Sequence, residues 1–280
     1  MLPELISVVI TLTNPEPVSF PCDQGRALSA AFLSWVRYVD PNFSKQLHDT
    51  GSAPKPYTVS NLHTNTKPKT DRVFLQADSQ AWFRLTSISA DLSKFILNNL
   101  LNNLPGEKMT VSKSAFIIKD VTWNPENHPW AGGTSYASLI KDGLLGQSTP
   151  QIPLYFASPT AFHSHGVHLP FPRPELAIRS WMKNWNAYSP MKFPESLFED
   201  LQGAIGVSNF KMKSDVIHYG EATFIGGVGN CTYSIVNRDS CWQQMINGLS
   251  SFAFYAGTGI KTTIGLGQTR RMDQDDYRAL

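Results

Sequence analysis

Cysteine is scarce in this chain of 280 residues: only Cys22, Cys231 and Cys241 are present. An odd number at wide spacing excludes a disulfide framework, and no pair has the separation of a metal-binding motif. Cysteines so placed suit small packed side chains in a reducing compartment. Long apolar runs are also lacking. Leu5 to Leu12 is broken by Ser7 and Thr11, no basic segment precedes it, and nothing approaches the length of a membrane span. The expectation is a cytoplasmic protein without a membrane partner. Charge of one sign is missing too, since the net charge is only +2. That balance makes charge alone a poor argument for nucleic acid, so any binding of phosphates must rest on a local patch.

Apolar residues make up 41% of the chain, enough to bury two cores of ordinary size. Leu5 to Leu12 reads as a buried strand. Asp23 is placed to cap a helix whose apolar positions Leu28, Phe32, Trp35 and Val39 share one face, with Ser34, Arg37 and Tyr38 opposite and Asp40-Pro41 as its end. A turn-rich polar loop follows from Leu47 to Leu62. Thr64 to Asp71 reads as a hairpin tip, flanked by strand-like Val73 to Gln76 and Ala81 to Ile88. A second helix carries Leu92, Phe95, Ile96, Asn99 and Leu100 on one face, between Ser89 and Pro105-Gly106, and Met109 to Val121 is again strand-like. Strand, helix, strand pair, helix, strand is the βαββαβ order of a ferredoxin-like domain.

The stretch from Pro125 to Pro150, rich in Gly, Pro, Ser and Asn, reads as a boundary. The same order then returns: a strand from Ile152 to Phe162, a helix from Pro174 to Trp185, and a strand pair from Met212 to Phe224 and Val228 to Val236. A helix opened by Ser240 with Gln243 as a capping box comes next, then a last strand from Thr263 to Arg270. The fold class is α+β, two tandem ferredoxin-like (RRM-like) domains over residues 1–145 and 146–272. Residues 273–280, with acidic Asp273 to Asp276, read as a frayed tail.

Between the last helix and the last strand lies Gly257-Thr258-Gly259-Ile260-Lys261-Thr262-Thr263-Ile264-Gly265-Leu266-Gly267-Gln268, with Arg270 and Arg271 beyond it. Four glycines can open backbone N–H groups toward an anion, or simply cap a helix and turn the chain. Both readings stay open on the glycines alone. Other candidates are weighed in the same way. His163, His165 and His168 have the spacing of a metal or phosphate cluster, but no carboxylate or cysteine stands near, and a solvated loop or an RNA contact is the default. His63, His128 and His218 stand alone and read as structural. Trp181, Trp185 and Trp242 have helical spacing and read as core before base-stacking platforms. Gly226-Gly227-Val228-Gly229 reads as a hairpin turn.

Three segments carry a resemblance: Ser158-Pro159-Thr160-Ala161-Phe162 at a strand end, Leu169-Pro170-Phe171-Pro172-Arg173-Pro174-Glu175 before a helix, and Gly257 to Gln268. They resemble the CRISPR-associated "Cas six" family of endoribonucleases, within the repeat-associated mysterious protein (RAMP) superfamily. Leu47-His48, a turn, Lys55-Pro56-Tyr57-Thr58 and Ser60 are similar to that family's histidine loop. The resemblance covers residues 1 to 271. It implies metal-independent cutting of precursor CRISPR RNA with no cofactor: a 2′-hydroxyl attacks the adjacent phosphate, leaving a 2′,3′-cyclic phosphate and a 5′-hydroxyl. It implies His48 as proton-transfer group and Lys55 as stabiliser of the charged phosphorane. The family's helix tyrosine falls at Leu33 here, so Ser34 and Tyr38 are the substitutes. Gly257, Gly259, Lys261, Thr262, Thr263, Gly265, Gly267, Gln268, Arg270, Arg271, Arg173 and Arg179 are the expected RNA contacts, with Lys211 and Lys213 nearby. The implied partners are repeat RNA and the proteins of a CRISPR effector complex, with the chain a monomer or homodimer. The rival from another class is a catalytically silent RNA-binding RAMP subunit of such a complex, and a weaker one is a metal-dependent hydrolase using the three clustered histidines.

Overall fold

Ile6, Val8, Ile10 and Leu12 alternate along Leu5–Thr13 (β1), and all four are buried on one face of the sheet that β1 centres. In this computed structural model the described residues are 2–272 apart from 50, 52, 100, 102, 103, 105, 146–148, 165, 197–200, 202, 220, 221 and 238. The sequence expectations for Leu100, Pro105, His165 and the 273–280 tail therefore lie outside the described residues. The chain divides into two compact units. The first is Met1–Thr134 with Thr263–Gly265, and the second is Ser135–Thr262 with Leu266–Leu280.

In the first unit β1 is followed by Val18–Pro21 (β2), Gly25–Val39 (α1), Pro41–His48 (α2), Tyr57–Val59 (β3), His63–Thr64 (β4), Arg72–Leu75 (β5), Gln80–Ser87 (β6), Ala90–Asn99 (α3), Lys108–Val111 (β7), Ser114–Thr122 (β8) and Gly132–Thr134 (β9). The sheet order is β3-β6-β1-β8-β7, antiparallel throughout, and β3-β6-β1-β8 is the ferredoxin-like arrangement. Leu28, Phe32 and Val36 of α1 and Leu92 and Ile96 of α3 close the core against Phe83 and Leu85. β2 and β5 form a separate ribbon.

Four local readings change in this unit. The helix α1 begins at Gly25, its N-cap is Gln24 in place of Asp23, and Val36 is buried where Val39 is exposed. Asp40 ends α1 and also starts α2, because its carboxylate accepts from the Asn42 and Phe43 amides at 2.9 Å and Pro41 fits the first helical turn. His48 thus closes a helix and does not sit in an open loop. Met109 to Val121 is a hairpin, turned at Ser112 and Lys113 with φ of 45° and 70°. Gly132–Thr134 is a strand on β1, inside the stretch read as a boundary.

The second unit holds Tyr136–Leu145 (α4), Gln151–Thr160 (β10), Phe162–Ser164 (β11), Val167–Leu169 (β12), Pro174–Tyr188 (α5), Ile205–Tyr219 (β13), Ala222–Ile235 (β14), Ser240–Ala256 (α6) and Thr269–Arg271 (β15). Sheet order β13-β14-β10-β15 repeats the first unit's arrangement. Ile178, Trp181, Met182 and Trp185 of α5 are all buried, so Trp181 and Trp185 are core. The helix α4 falls inside the glycine-rich stretch, capped by the Ser135 hydroxyl, which accepts from the Ser138 amide at 3.0 Å. Asp239, not Ser240, caps α6.

Gly226, Gly227 and Gly229 are no hairpin turn: they lie in the middle of β14, paired with Asp215, Ser214 and Met212. A Cβ at Gly226 would stand 2.6 Å from the Pro159 carbonyl carbon and one at Gly227 2.6 Å from the Pro170 oxygen, so glycine is required by close backbone approach. The last strand is only three residues long, since Thr262–Ile264 turns as a 3₁₀ helix before it.

Candidate functional site

Helix α2 is short and mostly polar, and it is held at both ends. Phe43 near its start stacks on Phe95 with ring centroids 4.6 Å apart, and Leu47 near its end is buried. At the end that bears His48, the Lys55 ammonium donates to the Leu47 carbonyl oxygen at 2.9 Å. A helix C-terminus leaves carbonyls unpaired and carries partial negative charge, so a lysine there satisfies an orphan acceptor and is drawn to the dipole. A cation is thereby fixed beside the backbone of the candidate histidine.

Ser34 and Tyr38 lie on the exposed side of α1, as the periodicity predicts, and Tyr38 is 89% exposed. Both line a cleft of about 950 Å³ within the first unit, with Ala27, Ala30 and Ala31 on one wall and Glu107 and Lys108 on the other. Leu33, between the faces, packs against the core.

The glycine segment is built differently from an open anion nest. Gly257, Gly259, Gly265 and Gly267 have φ of 67°, 83°, 106° and 69°, a region closed to most L-residues. Their neighbours' amides are already engaged. In the second unit Thr258 N donates to Gly267 O at 2.8 Å, Gly259 N to Ser180 Oγ at 3.0 Å, Ile260 N to Ala161 O at 2.9 Å, Gly267 N to Pro159 O at 3.1 Å and Gln268 N to Ser158 Oγ at 2.9 Å. Two motifs about a hundred residues apart in the chain are therefore one element: Ser158 to Ala161 is the template on which the glycine loop is laid. Trp181 pins it further, its indole N–H donating to Thr258 Oγ1 at 2.9 Å. The glycines serve close packing of backbone on backbone. Lys261 stands exposed at the tip with φ of 58°.

In the first unit Thr263–Gly265 is seated by Ser60 of the histidine-loop segment and by two residues the sequence does not single out, Gly25 and Asn61. Gly25 lies so close to the Ile264 carbonyl that no side chain fits, and its amide donates to Asn61 Oδ1 at 2.6 Å. Ser60 forms a parallel bridge with Gly265. Nothing local marks Gly25 or Asn61, since their partner is over two hundred residues away.

Among the remaining cations, Arg271 donates to Thr149 Oγ1 at 3.2 Å and its neighbour Arg270 is half-buried on β15, while Arg173 at the start of α5 pairs with Glu175 at 3.6 Å. Arg179 is exposed on α5. Of the clustered histidines, His163 and His168 are cross-strand partners on β11 and β12. Among the described residues no group of three His, Cys, Asp or Glu side chains stands close enough to hold a metal ion. No helix there is long and apolar enough to cross a membrane.

His63 and His128, read as solitary, meet across one tryptophan. His63 stacks on Trp82 at 4.1 Å and His128 meets its edge at 4.5 Å. Buried Arg84 beside them donates to Ser7 Oγ at 2.6 Å and lies 4.9 Å over the Trp130 ring. Burial first, then His128 and Arg84, push His63 down to about 4, and burial and Arg84 lower His128 too. The unfolded chain therefore takes up these protons first as pH falls. Stability is complete above about pH 6.5 and declines toward pH 4, by at most about 3 kcal/mol from His63. Urea unfolding at pH 7.5, 5.5 and 4.5 should show this fall, and His63→Gln should flatten it.

Two tandem ferredoxin-like units, with a glycine loop laid on a strand-end motif in the second, define the class, and the comparisons agree. The CRISPR Cas6 N-terminal domain family matches residues 4–141, and CRISPR-associated endoribonuclease Cas6 matches residues 154–269. The chain belongs to the Cas6 family. It is 28% identical over 116 residues to the CRISPR-associated endoribonuclease Cas6 of Mycobacterium tuberculosis, strains CDC 1551 / Oshkosh and H37Rv. That match spans 41% of this chain and 37% of the relative. Among solved structures it is similar to a Cas6 product complex (26% identity, TM-score 0.77, 96% of this chain and 99% of that one). Thermus thermophilus Cas6 shares the fold at 23% identity, TM-score 0.73, over 97% and 100% of the two chains.

Proposed function

We propose that this protein is an endoribonuclease that cuts precursor CRISPR RNA within its repeats, without a metal ion, by attack of a 2′-hydroxyl on the neighbouring phosphate. The observation that carries this reading is the Lys55 ammonium fastened to the Leu47 carbonyl, one residue before His48 in the backbone of the same helix end. His48 exchanges the proton of the nucleophile or the leaving oxygen, and Lys55 lowers the energy of the extra negative charge on the phosphorane. The products are a 2′,3′-cyclic phosphate and a 5′-hydroxyl. Ser34 and Tyr38 on α1 are the further candidates for proton transfer. The loop from Gly257 to Gln268 steadies the RNA backbone, Lys261, Thr262 and Thr263 at its tip meeting phosphates, and Arg173, Arg179, Arg270 and Arg271 add charge.

Incubation with repeat RNA in excess EDTA tests the mechanism. Cleavage should proceed and give cyclic phosphate ends, and repeat RNA with 2′-deoxyribose at the scissile position should bind but stay whole. A strict need for added metal would sink the mechanism. A second reading, a silent RNA-binding subunit of an effector complex, is favoured by one observation: a partly buried Leu33 packs against the core where the resemblance implies a tyrosine. A shifted but uncut band on a gel of labelled repeat RNA decides for it.

A further inference from the structure

The β11–β12 hairpin brings together rings that the cleavage reading leaves unused. His163 and His168 face each other in register across the two strands, with centroids 5.4 Å apart and planes at 70°. His168 in turn stacks on Phe224 of β14, at 5.5 Å and 30°. Over that same phenyl ring, 5.9 Å from its centroid, stands the Lys261 ammonium at the tip of the glycine loop. All four residues belong to the second unit. Both histidines and Lys261 are exposed, and Phe224 is half-buried beside its cross-strand partner Ile217, which is 2% exposed. The two imidazoles are therefore accessible to solvent next to a buried neighbour of the sheet.

Lys261 adds a second signal. A lysine at φ 58° is strained relative to glycine, and such strain persists where the surroundings impose it. The chain has glycine at four other positive-φ points of this loop, yet lysine at the one beside the rings.

The chemistry narrows the ligand. A cation is disfavoured, because an ammonium already occupies the aromatic face. A bare anion has no use for three ring surfaces. A metal needs converging donors, whereas these two imidazoles meet edge to face and no third ligand joins them among the described residues. A nucleotide offers a flat π-face and a negative charge a few ångströms away, and only an unpaired one exposes that face. We propose that His163, His168 and Phe224, with the Lys261 ammonium beside them, form a seat for one unpaired nucleotide of the RNA, its base stacked on the rings and its phosphate on the ammonium. This rests on the reading of the protein as an RNA endonuclease, and it deepens it: at this point the RNA is gripped as a single strand.

The test is a binding titration of the full chain with repeat RNA carrying 2-aminopurine at each position in turn. One unpaired position should be quenched on binding. His168→Ala should abolish that quenching and weaken binding by about fivefold to a hundredfold. His168→Phe, which keeps a ring and loses the imidazole, should restore both. Removing the base at the quenched position should weaken the wild-type protein by a similar factor and leave His168→Ala unchanged. Lys261→Gly should lower the salt dependence of binding, by about 0.7 in the log–log slope, without lowering the melting temperature. Wild-type affinity in both His168→Ala and Phe224→Ala, or failure of His168→Phe to rescue, overturns the seat while the endonuclease reading stands. Failure of the wild-type protein to bind repeat RNA removes that reading and the seat with it.

Discussion

His48→Ala is expected to leave repeat RNA bound with affinity within about twofold of wild type while slowing its cleavage by about 10²- to 10⁴-fold, the range that a lost proton-transfer group costs. The argument rests on where the residue stands. It is the last residue of α2, whose other end is fixed by Asp40 and whose body is anchored by Phe43 and Leu47, so the helix keeps these anchors when residue 48 is replaced; the His48 side chain itself lies outside the described residues. Single-turnover rates at saturating protein isolate the chemical step, and a filter-binding titration with 2′-deoxy substrate gives the affinity. Undiminished cleavage in the variant would remove His48 from the mechanism and leave Tyr38 and Ser34 as candidates.

The opposite split is expected of Gly267→Val. At φ 69° a β-branched residue is strained, and its Cβ would also drive into the Thr258 carbonyl and reach within 3.0 Å of the Thr262 methyl. The loop must then leave its template on Ser158 to Ala161. RNA affinity should fall by at least about tenfold, and stability by about 1–3 kcal/mol, the usual cost of overpacking. The single-turnover rate at saturating protein should change far less, because the strained residue belongs to the glycine loop and not to the helix end of His48. An affinity equal to wild type in a folded variant would show that the loop does not hold RNA.

Much of this molecule can be read along the chain, and what cannot has identifiable causes. Leu28 and Phe32, Leu92 and Ile96, and Ile178, Trp181, Met182 and Trp185 carry a helical period strong enough to fix α1, α3 and α5, and the order of elements leads to the ferredoxin-like topology of both units. The helix α2 is hidden because Asp40-Pro41 reads as a stop for one helix when it is equally the start of the next. The helix α4 is hidden by flanking glycines and prolines, although Ser135 supplies an ordinary cap. At the candidate site, residue types are visible but the bonds are not. That Lys55 reaches the Leu47 carbonyl, or that Ser158 receives the Gln268 amide, depends on tertiary approach, which local pattern does not encode. The paired histidines flanking Trp82 are invisible for the same reason: the three side chains come from a strand, its neighbour and a distant loop.

The membership of Thr263–Gly265 in the first unit bears on how the chain is made. Ser60 and Asn61 emerge from the ribosome long before the residues that complete their surroundings. At about 5–20 residues per second, roughly ten seconds pass between synthesis of Thr134 and arrival of Gly265. During that interval the nascent first half exposes a vacant slot beside Gly25, shaped for a peptide backbone. A fragment cut after Thr134 would keep that slot empty permanently. Such a fragment is therefore a poor stand-in for the domain, and supplying residues 263–265 through a circular permutation is the way to obtain the first unit whole.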